Sequence, residues 1–393
     1  MEIRVSRRVR ELSGYAFAEV DQQVEKLRQA GIDPIDFGVG DPTQPTPEFV
    51  RKACGEALEK RASSGYPSYA GEPGFRDAAA RWILKRFGVE LDPETEITST
   101  VGSKEAVFHF AEGFVDPGDV VICPTPGYPP YSRGTRFAEG EPFFLPLRES
   151  NGFLPDLSEI PSSVRDRSRI FWISYPNSPT GALAPESFLA EVLAYCGRYG
   201  IIVASDEAYT DIYFSGEKPR GVLEVSRDGV VAFFSLSKRS AMTGYRVGFL
   251  AGDKKIVEVF RKVKTNLDSG TPTFIQDAAA VALSDESHVV EMRDQYRRKR
   301  DILVDALVGA GLPECRPEST LYLWQKAPSG MEDVEFAKAF LDPEVAIVTT
   351  PGTWIAEPTA SGENPGQGRV RFALVPSVEA TEMAAERIRR MKF

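Results

Sequence analysis

The middle of this 393-residue chain alternates two patterns, and that alternation limits its fold more than any other feature. Short apolar runs occur at VVICPTP (120–126), RIFWISYP (169–176), GIIVASDEAY (200–209), GVVAFFSLSK (229–238) and YRVGFLAG (245–252). Helix-patterned stretches lie between them. In PESFLAEVLAYCGRYG (185–200), Phe188, Leu189, Val192, Leu193 and Cys196 recur at helical spacing. Runs that are apolar throughout fit strands covered on both faces, with the amphipathic helices as the cover. The pattern predicts an α/β fold: a three-layer αβα large domain with a mainly parallel sheet, led by helices over 48–61 and 73–87.

After about residue 285 the texture changes. A long charged helix pattern (291–311) is followed by strand-like pieces TLYLWQKA, VAIVTTPG and VRFALV, and by a last helix over 377–391. This predicts a smaller α+β domain. The expected division is 1–47 as an N-terminal arm and part of the small domain, 48–288 as the large domain, and 289–393 as the small C-terminal domain. The Pro-rich GVGDPTQPTPEF reads as a crossing between them.

Charge and composition exclude several functions. A net charge of −10 argues against nucleic acid as a partner. No apolar run reaches the roughly 18–20 residues of a membrane span, and MEIRVSRRVREL is not followed by the apolar segment of a secretory signal. Cys54, Cys123, Cys196 and Cys315 lie far apart without a CxxC, as expected in the reducing cytoplasm. His109 and His288 are the only histidines, so a multi-His metal site is impossible. Both fall in helix-patterned segments and read as structural. Acid–base work is left to Lys, Tyr or a carboxylate.

Polar residues gather at the carboxyl ends of the apolar runs, the edge of an open α/β sheet where ligands bind. Asn177 follows ISYP, Asp206 and Tyr209 follow IIVAS, Lys238 ends FFSLS, and Arg246 opens the next run. A lysine in a water-poor pocket loses its charge readily and can form a Schiff base with a carbonyl. If the carbonyl is that of pyridoxal phosphate, a buried Asp206 keeps the ring nitrogen protonated. Asn177 and Tyr209 then donate to the ring oxygen. Arg246, Ser235, Ser237 and the turn Gly102-Ser103-Lys104 before a helix suit the phosphate. Ser235 and Ser237 alternate with Phe234 and Leu236, so both hydroxyls are expected on one side of a strand. Arg239 reads as a solvated surface charge.

YPNSPTG, SDEAY, SLSK and GYRVG, in this order and spacing, resemble the fold-type I pyridoxal-phosphate aminotransferases of classes I and II, over essentially the whole chain. The resemblance implies Lys238 as the residue that binds the cofactor covalently and carries the proton, with Asp206, Asn177 and Tyr209 on the ring. Ser103, Lys104, Ser235, Ser237 and Arg246 become phosphate ligands. Tyr128, in CPTPGYPPY, matches the aromatic that stacks on the ring. Tyr69, in YPSYAGEPGFR, matches a tyrosine that reaches the phosphate of the neighbouring subunit, which implies a homodimer. Arg371 matches the arginine that grips the substrate carboxylate, with Arg369 as its competitor. Gly38, Val39 and Gly40 match a loop that closes over substrate.

Within the family, YAFAEVDQ with FGVGDPTQPTP is similar to enzymes acting on free LL-diaminopimelate. SLSKRSAMTGYRVGF, SDESHV and PGTWIAEPTASGENPGQGRVRFALV are more similar to N-succinyldiaminopimelate aminotransferases of lysine biosynthesis, which makes the succinylated substrate the leading expectation. The expected partner pair is glutamate and 2-oxoglutarate, and Tyr15 is a candidate for the distal pocket. A broad aspartate or aromatic aminotransferase and a lyase on the same fold are the alternatives. A transcription-factor sensor domain would need a DNA-binding head, and the aminotransferase pattern begins near residue 12.

Overall fold

The structure, a computed structural model, describes residues 3–10, 12 and 18–393. All five apolar runs become strands of one sheet, joined by two strands the sequence pattern does not announce. In chain order these are β1 (Ile97–Thr100), β2 (Val120–Thr125), β3 (Glu141–Pro146), β4 (Ser168–Ile173), β5 (Ile202–Asp206), β6 (Val230–Ser235) and β7 (Gly248–Gly252). Their spatial order is β1-β7-β6-β5-β4-β2-β3; every pairing is parallel except those of β7, which is antiparallel to β1 and β6. β1 (ITST) is short and polar in composition. β3 carries two prolines, which a sheet edge tolerates because it needs fewer N–H donors.

Period-two alternation explains why the central strands are apolar throughout. Phe171 and Trp172 are consecutive, as are Phe233 and Phe234, yet the members of each pair join different cores on opposite faces. One face packs on Trp82, Ile83 and Phe188 from helices Pro73–Phe87 and Glu186–Tyr199; the other packs on Val107 and Phe260 from Ser103–His109 and Lys254–Lys264. Truncating a buried Phe such as Phe234 to Ala would cost about 3–5 kcal/mol.

A further core forms around helix Ser287–Gly309, helix Val378–Ile388 and an antiparallel sheet of β8 (Tyr322–Lys326), β9 (Thr350–Pro351) and β10 (Arg369–Ala373) in the order β9-β10-β8. Ile35 and Phe37 belong to this core, and Ile35–Asp36 pairs in parallel with Ile347–Val348. Among the described residues, no helix is long and apolar enough to cross a membrane.

One local expectation is corrected. β6 stops at Ser235, and Leu236–Arg239 is a single helical turn. The Ser235 hydroxyl accepts from the Ser237 N–H at 3.2 Å as the N-cap, so the two serines do not alternate along a strand. Lys238 therefore leaves a helical turn and not a strand end.

Candidate active site

A cavity of about 480 Å³ opens at the carboxyl ends of β2, β4, β5 and β6, facing β8 and β10 of the second core. It is lined by Gly40, Ser103, Lys104, Tyr128, Asp206, Tyr209, Ser235, Ser237, Lys238, Arg246 and Arg371, which come from widely separated segments. Asn177, Gly102 and Tyr69 are not among its lining residues. Tyr15 falls outside the described residues.

Burial lowers the Lys238 pKa, because an ammonium loses solvation there. Its Nζ donates to the Gly40 carbonyl and has no carboxylate within ion-pair distance among the described residues. Asp206 is buried at the end of β5, and burial raises its pKa. Two hydrogen bonds oppose that rise: the Tyr131 hydroxyl donates to Oδ2 at 2.7 Å and the Ala208 N–H to Oδ1 at 3.2 Å. Tyr131 is itself fixed by stacking on Trp172, with centroids 4.6 Å apart. The Asn177 amide gives one N–H to the Ser174 carbonyl at 3.1 Å, and its oxygen accepts from the Thr180 hydroxyl at 2.6 Å. Its second amide proton has no partner among these contacts.

At the other end of the cavity Gly102 has φ +70° and forms the N-cap of helix Ser103–His109 without any side-chain cap. A Cβ on Gly102 would meet Arg246 Nη2, so a larger residue would have to displace the guanidinium, and the left-handed φ independently favours glycine there. Arg246 itself has φ +53°, and its Nη1 donates to the Thr243 carbonyl at 2.8 Å. A cation, uncapped N–H groups and the hydroxyls of Ser103, Ser235 and Ser237 thus converge on one end.

The opposite wall separates the two arginine candidates. Arg371 lines the cavity, and its Nη2 donates to the Gly38 carbonyl at 2.8 Å and approaches Thr350 Oγ1 at 3.5 Å, while its buried Nε has no partner. Arg369 is turned away onto Glu149 at 2.7 Å and the Trp324 carbonyl. Lys238 and Arg371 thus both bind carbonyls of the 38–40 loop, drawing it across the cleft.

Behind the strand ends the arginines are paired. Arg239, expected as a solvated charge, is buried: Nε donates to Asp211 at 2.7 Å, Nη2 to Glu286 at 2.6 Å, and Nη1 to the Ser240 hydroxyl and the Ala282 carbonyl. Arg86 also reaches Asp211, at 3.4 Å. The cause is the helical turn, which sends Lys238 to the front and Arg239 to the back. Glu207 points backward too, accepting from the Val222 N–H at 2.9 Å and the Ser205 hydroxyl, and burial pushes its pKa up to about 7.

Two residues of the site escape sequence reasoning. Tyr131 stands in the same CPTPGYPPY stretch as Tyr128, but only the helix Pro130–Phe137 turns it onto Asp206. Tyr322 comes from β8, and its hydroxyl lies 3.0 Å from that of Tyr209. Its apolar neighbours in TLYLW give it the appearance of a packing residue.

Comparison with known proteins agrees with this geometry. The model of the family "Aminotransferase class I and II" matches residues 32–388. An LL-diaminopimelate aminotransferase of Aquifex aeolicus is 43% identical over 391 residues, 99% of each chain, and one of Desulforudis audaxviator is 41% identical over 98% of this chain and 97% of its own. Among solved structures, a probable N-succinyldiaminopimelate aminotransferase of Thermus thermophilus superposes with a TM-score of 0.87 at 32% identity, covering 95% of this chain and 99% of its own. The three-layer fold is that of the fold-type I pyridoxal-phosphate enzymes. The chain therefore belongs to the class I and II aminotransferases, enzymes that use pyridoxal phosphate to move amino groups between small amino acids and 2-oxo acids.

Proposed function

We propose that this aminotransferase acts on LL-diaminopimelate with glutamate and 2-oxoglutarate as the second pair. The observation that carries the catalytic reading is the convergence of Lys238, Asp206, Tyr209 and Arg371 on one cavity. The substrate rests on the relatives at 41–43% identity over nearly full length, which are named for the free diamino acid. The succinylated substrate, placed first on sequence, has less support, its counterpart being a structural neighbour at 32%. Broad aminotransferase activity is also compatible with the family.

The residues present fit pyridoxal phosphate. The space kept clear by Gly102 beside Arg246, with Ser103, Lys104, Ser235 and Ser237, suits the phosphate, and buried Asp206 suits the ring nitrogen. When bound, the cofactor supplies an aldehyde for a lysine and a ring that withdraws electrons from the substrate α-carbon. Burial lowers the Lys238 pKa and so favours its neutral amine, and its Nζ would take the proton from the substrate α-carbon and carry it onward. Asp206, aimed by Tyr131, holds the ring nitrogen in its protonated form. Tyr209 and the second N–H of Asn177 would serve the ring oxygen, and Tyr128 would hold the ring. Arg371 takes the substrate carboxylate after releasing the Gly38 carbonyl, and Lys238 likewise releases Gly40. The loop then closes on substrate and excludes water.

The protein is further read as a cytoplasmic homodimer in which Tyr69 reaches the other subunit's phosphate. Supporting this, Tyr66 and Tyr69 are exposed at 91% and 42%, and all four cysteines are free. The division at residues 48 and 288 is supported by the separate cores on either side, with Ile35 and Phe37 in the second. The test is an assay of LL-diaminopimelate, its N-succinyl derivative and aspartate as donors to 2-oxoglutarate. Turnover is expected with the free diamino acid and at least about 100-fold lower kcat/KM with the succinylated one, a gap of about 2.7 kcal/mol. Preference for the succinylated donor would overturn the substrate; activity with none would overturn the function.

A further inference from the structure

Tyr322 joins the two walls of the cleft. It stands at the start of β8, 4% exposed, with its hydroxyl 3.0 Å from that of Tyr209 in the turn that follows β5. The Arg371 guanidinium lies over its ring, 4.7 Å from the centroid. The Gly40 backbone passes so close that a Cβ there would collide with the hydroxyl. One side chain thus touches the phenol directed at the cofactor, the cation directed at the substrate and the loop that covers both.

We propose that Tyr322 is a positioning residue with two separable parts: its hydroxyl orients and polarises Tyr209 toward the cofactor, and its ring holds the Arg371 guanidinium for the substrate carboxylate. This rests on the roles given above to Tyr209 and Arg371. Tyr209 has a single hydroxyl proton. With that proton on the cofactor's ring oxygen, the Tyr209 oxygen can only accept from Tyr322, so Tyr322 donates. A phenol that accepts a hydrogen bond becomes the better donor. On the other side, Arg371 has an unpartnered Nε and one short hydrogen bond, to Gly38, which substrate must displace. Once the loop carbonyl has gone, the Tyr322 face remains as the main support beside the long contact to Thr350 Oγ1 at 3.5 Å.

The experiment compares the holoenzymes of Tyr322→Phe, which keeps the ring, and Tyr322→Leu, which loses both parts. The first readout is the pH midpoint of the absorbance change of the lysine-bound cofactor. The second is the affinity for glutarate, an unreactive dicarboxylate. Hydrogen bonding to the negative ring oxygen lowers the midpoint, so weaker donation by Tyr209 raises it, by about half a pH unit in both variants. Glutarate binding should weaken about tenfold in the Leu variant and less than about twofold in the Phe variant. An unchanged midpoint in the Phe variant, with its Tm close to wild type, would overturn the hydroxyl role; wild-type glutarate affinity in the Leu variant would overturn the ring role. Tyr209→Phe and Arg371→Leu separate the levels. Should those two leave midpoint and affinity untouched, the underlying roles fail; should they act while both Tyr322 variants do not, the Tyr322 inference alone fails.

Discussion

The front and the back of the same strand ends treat charge in opposite ways. In front, Asp206 and Lys238 face the cavity with no ion-pair partner among the described residues: a tyrosine hydroxyl and a backbone N–H serve the acid, and a loop carbonyl serves the amine. At the back, one residue further along the chain in each case, Arg239 is buried among carboxylates, while Glu207 is buried against neutral donors with one carboxylate oxygen unpartnered. Arg239 bridges Asp211 and Glu286, Arg86 shares Asp211, and Glu207 holds the Val222 N–H. Leaving a buried charge unpaired costs stability, and a protein that does so for the Lys238 amine in front while pairing the Arg239 guanidinium behind has reserved the front amine for a ligand. Neighbours in sequence thus divide between chemistry and support.

The difference is broken most severely by exchanging front for back. Lys238→Ala should abolish multiple turnovers, lowering kcat by about 10⁴-fold or more. The apo protein should melt no lower than wild type in a thermal scan, because an unfavourably buried amine has been removed. Arg239→Met should do the reverse. Asp211 and Glu286 would lose their shared cation at a cost of about 3 kcal/mol, the low end of the range because Arg86 remains and Glu286 is partly exposed. Urea titration should show that loss while kcat per folded molecule changes little.

A smaller effect sharpens the comparison through pH. The Glu207 carboxyl is raised from its ordinary value, near 4.5, to about 7. Between those values the unfolded chain has released the proton that the folded chain keeps, so stability falls as pH rises through this window. The penalty is fully present above pH 7 and absent below about 4.5, and reaches up to about 3 kcal/mol. Glu207→Gln should match wild type at pH 4 and exceed it at pH 8. An identical pH dependence of Tm in the two proteins would show that Glu207 is ionised without strain.

The front of the site was legible in the sequence because its residues sit where apolar runs end, a local signal that needs no knowledge of contacts. Asp206, Lys238 and Arg371 were found this way or by resemblance, and the cavity contains all three. The back was not legible. Arg239 is buried only because Asp211 and Glu286 reach it from 28 and 47 residues away, and no local pattern announces that. Tyr322 was hidden for a similar reason: in TLYLW it reads as core, and docking of β8 against the end of β5 makes it part of the site. The succession Ser235-Leu236-Ser237-Lys238 looked like a strand because its apolar–polar alternation fits period two, while the Ser235 N-cap closes a helical turn there.

The central claim is tested most directly by a half-reaction. Holoenzyme is mixed with glutamate and no acceptor, and its cofactor is extracted and identified. Stoichiometric conversion to pyridoxamine phosphate is predicted for wild type and for Arg239→Met, with none on the scale of turnover for Lys238→Ala. Conversion by Lys238→Ala at the wild-type rate, or a wild type that leaves the cofactor in its aldehyde form, would contradict the account.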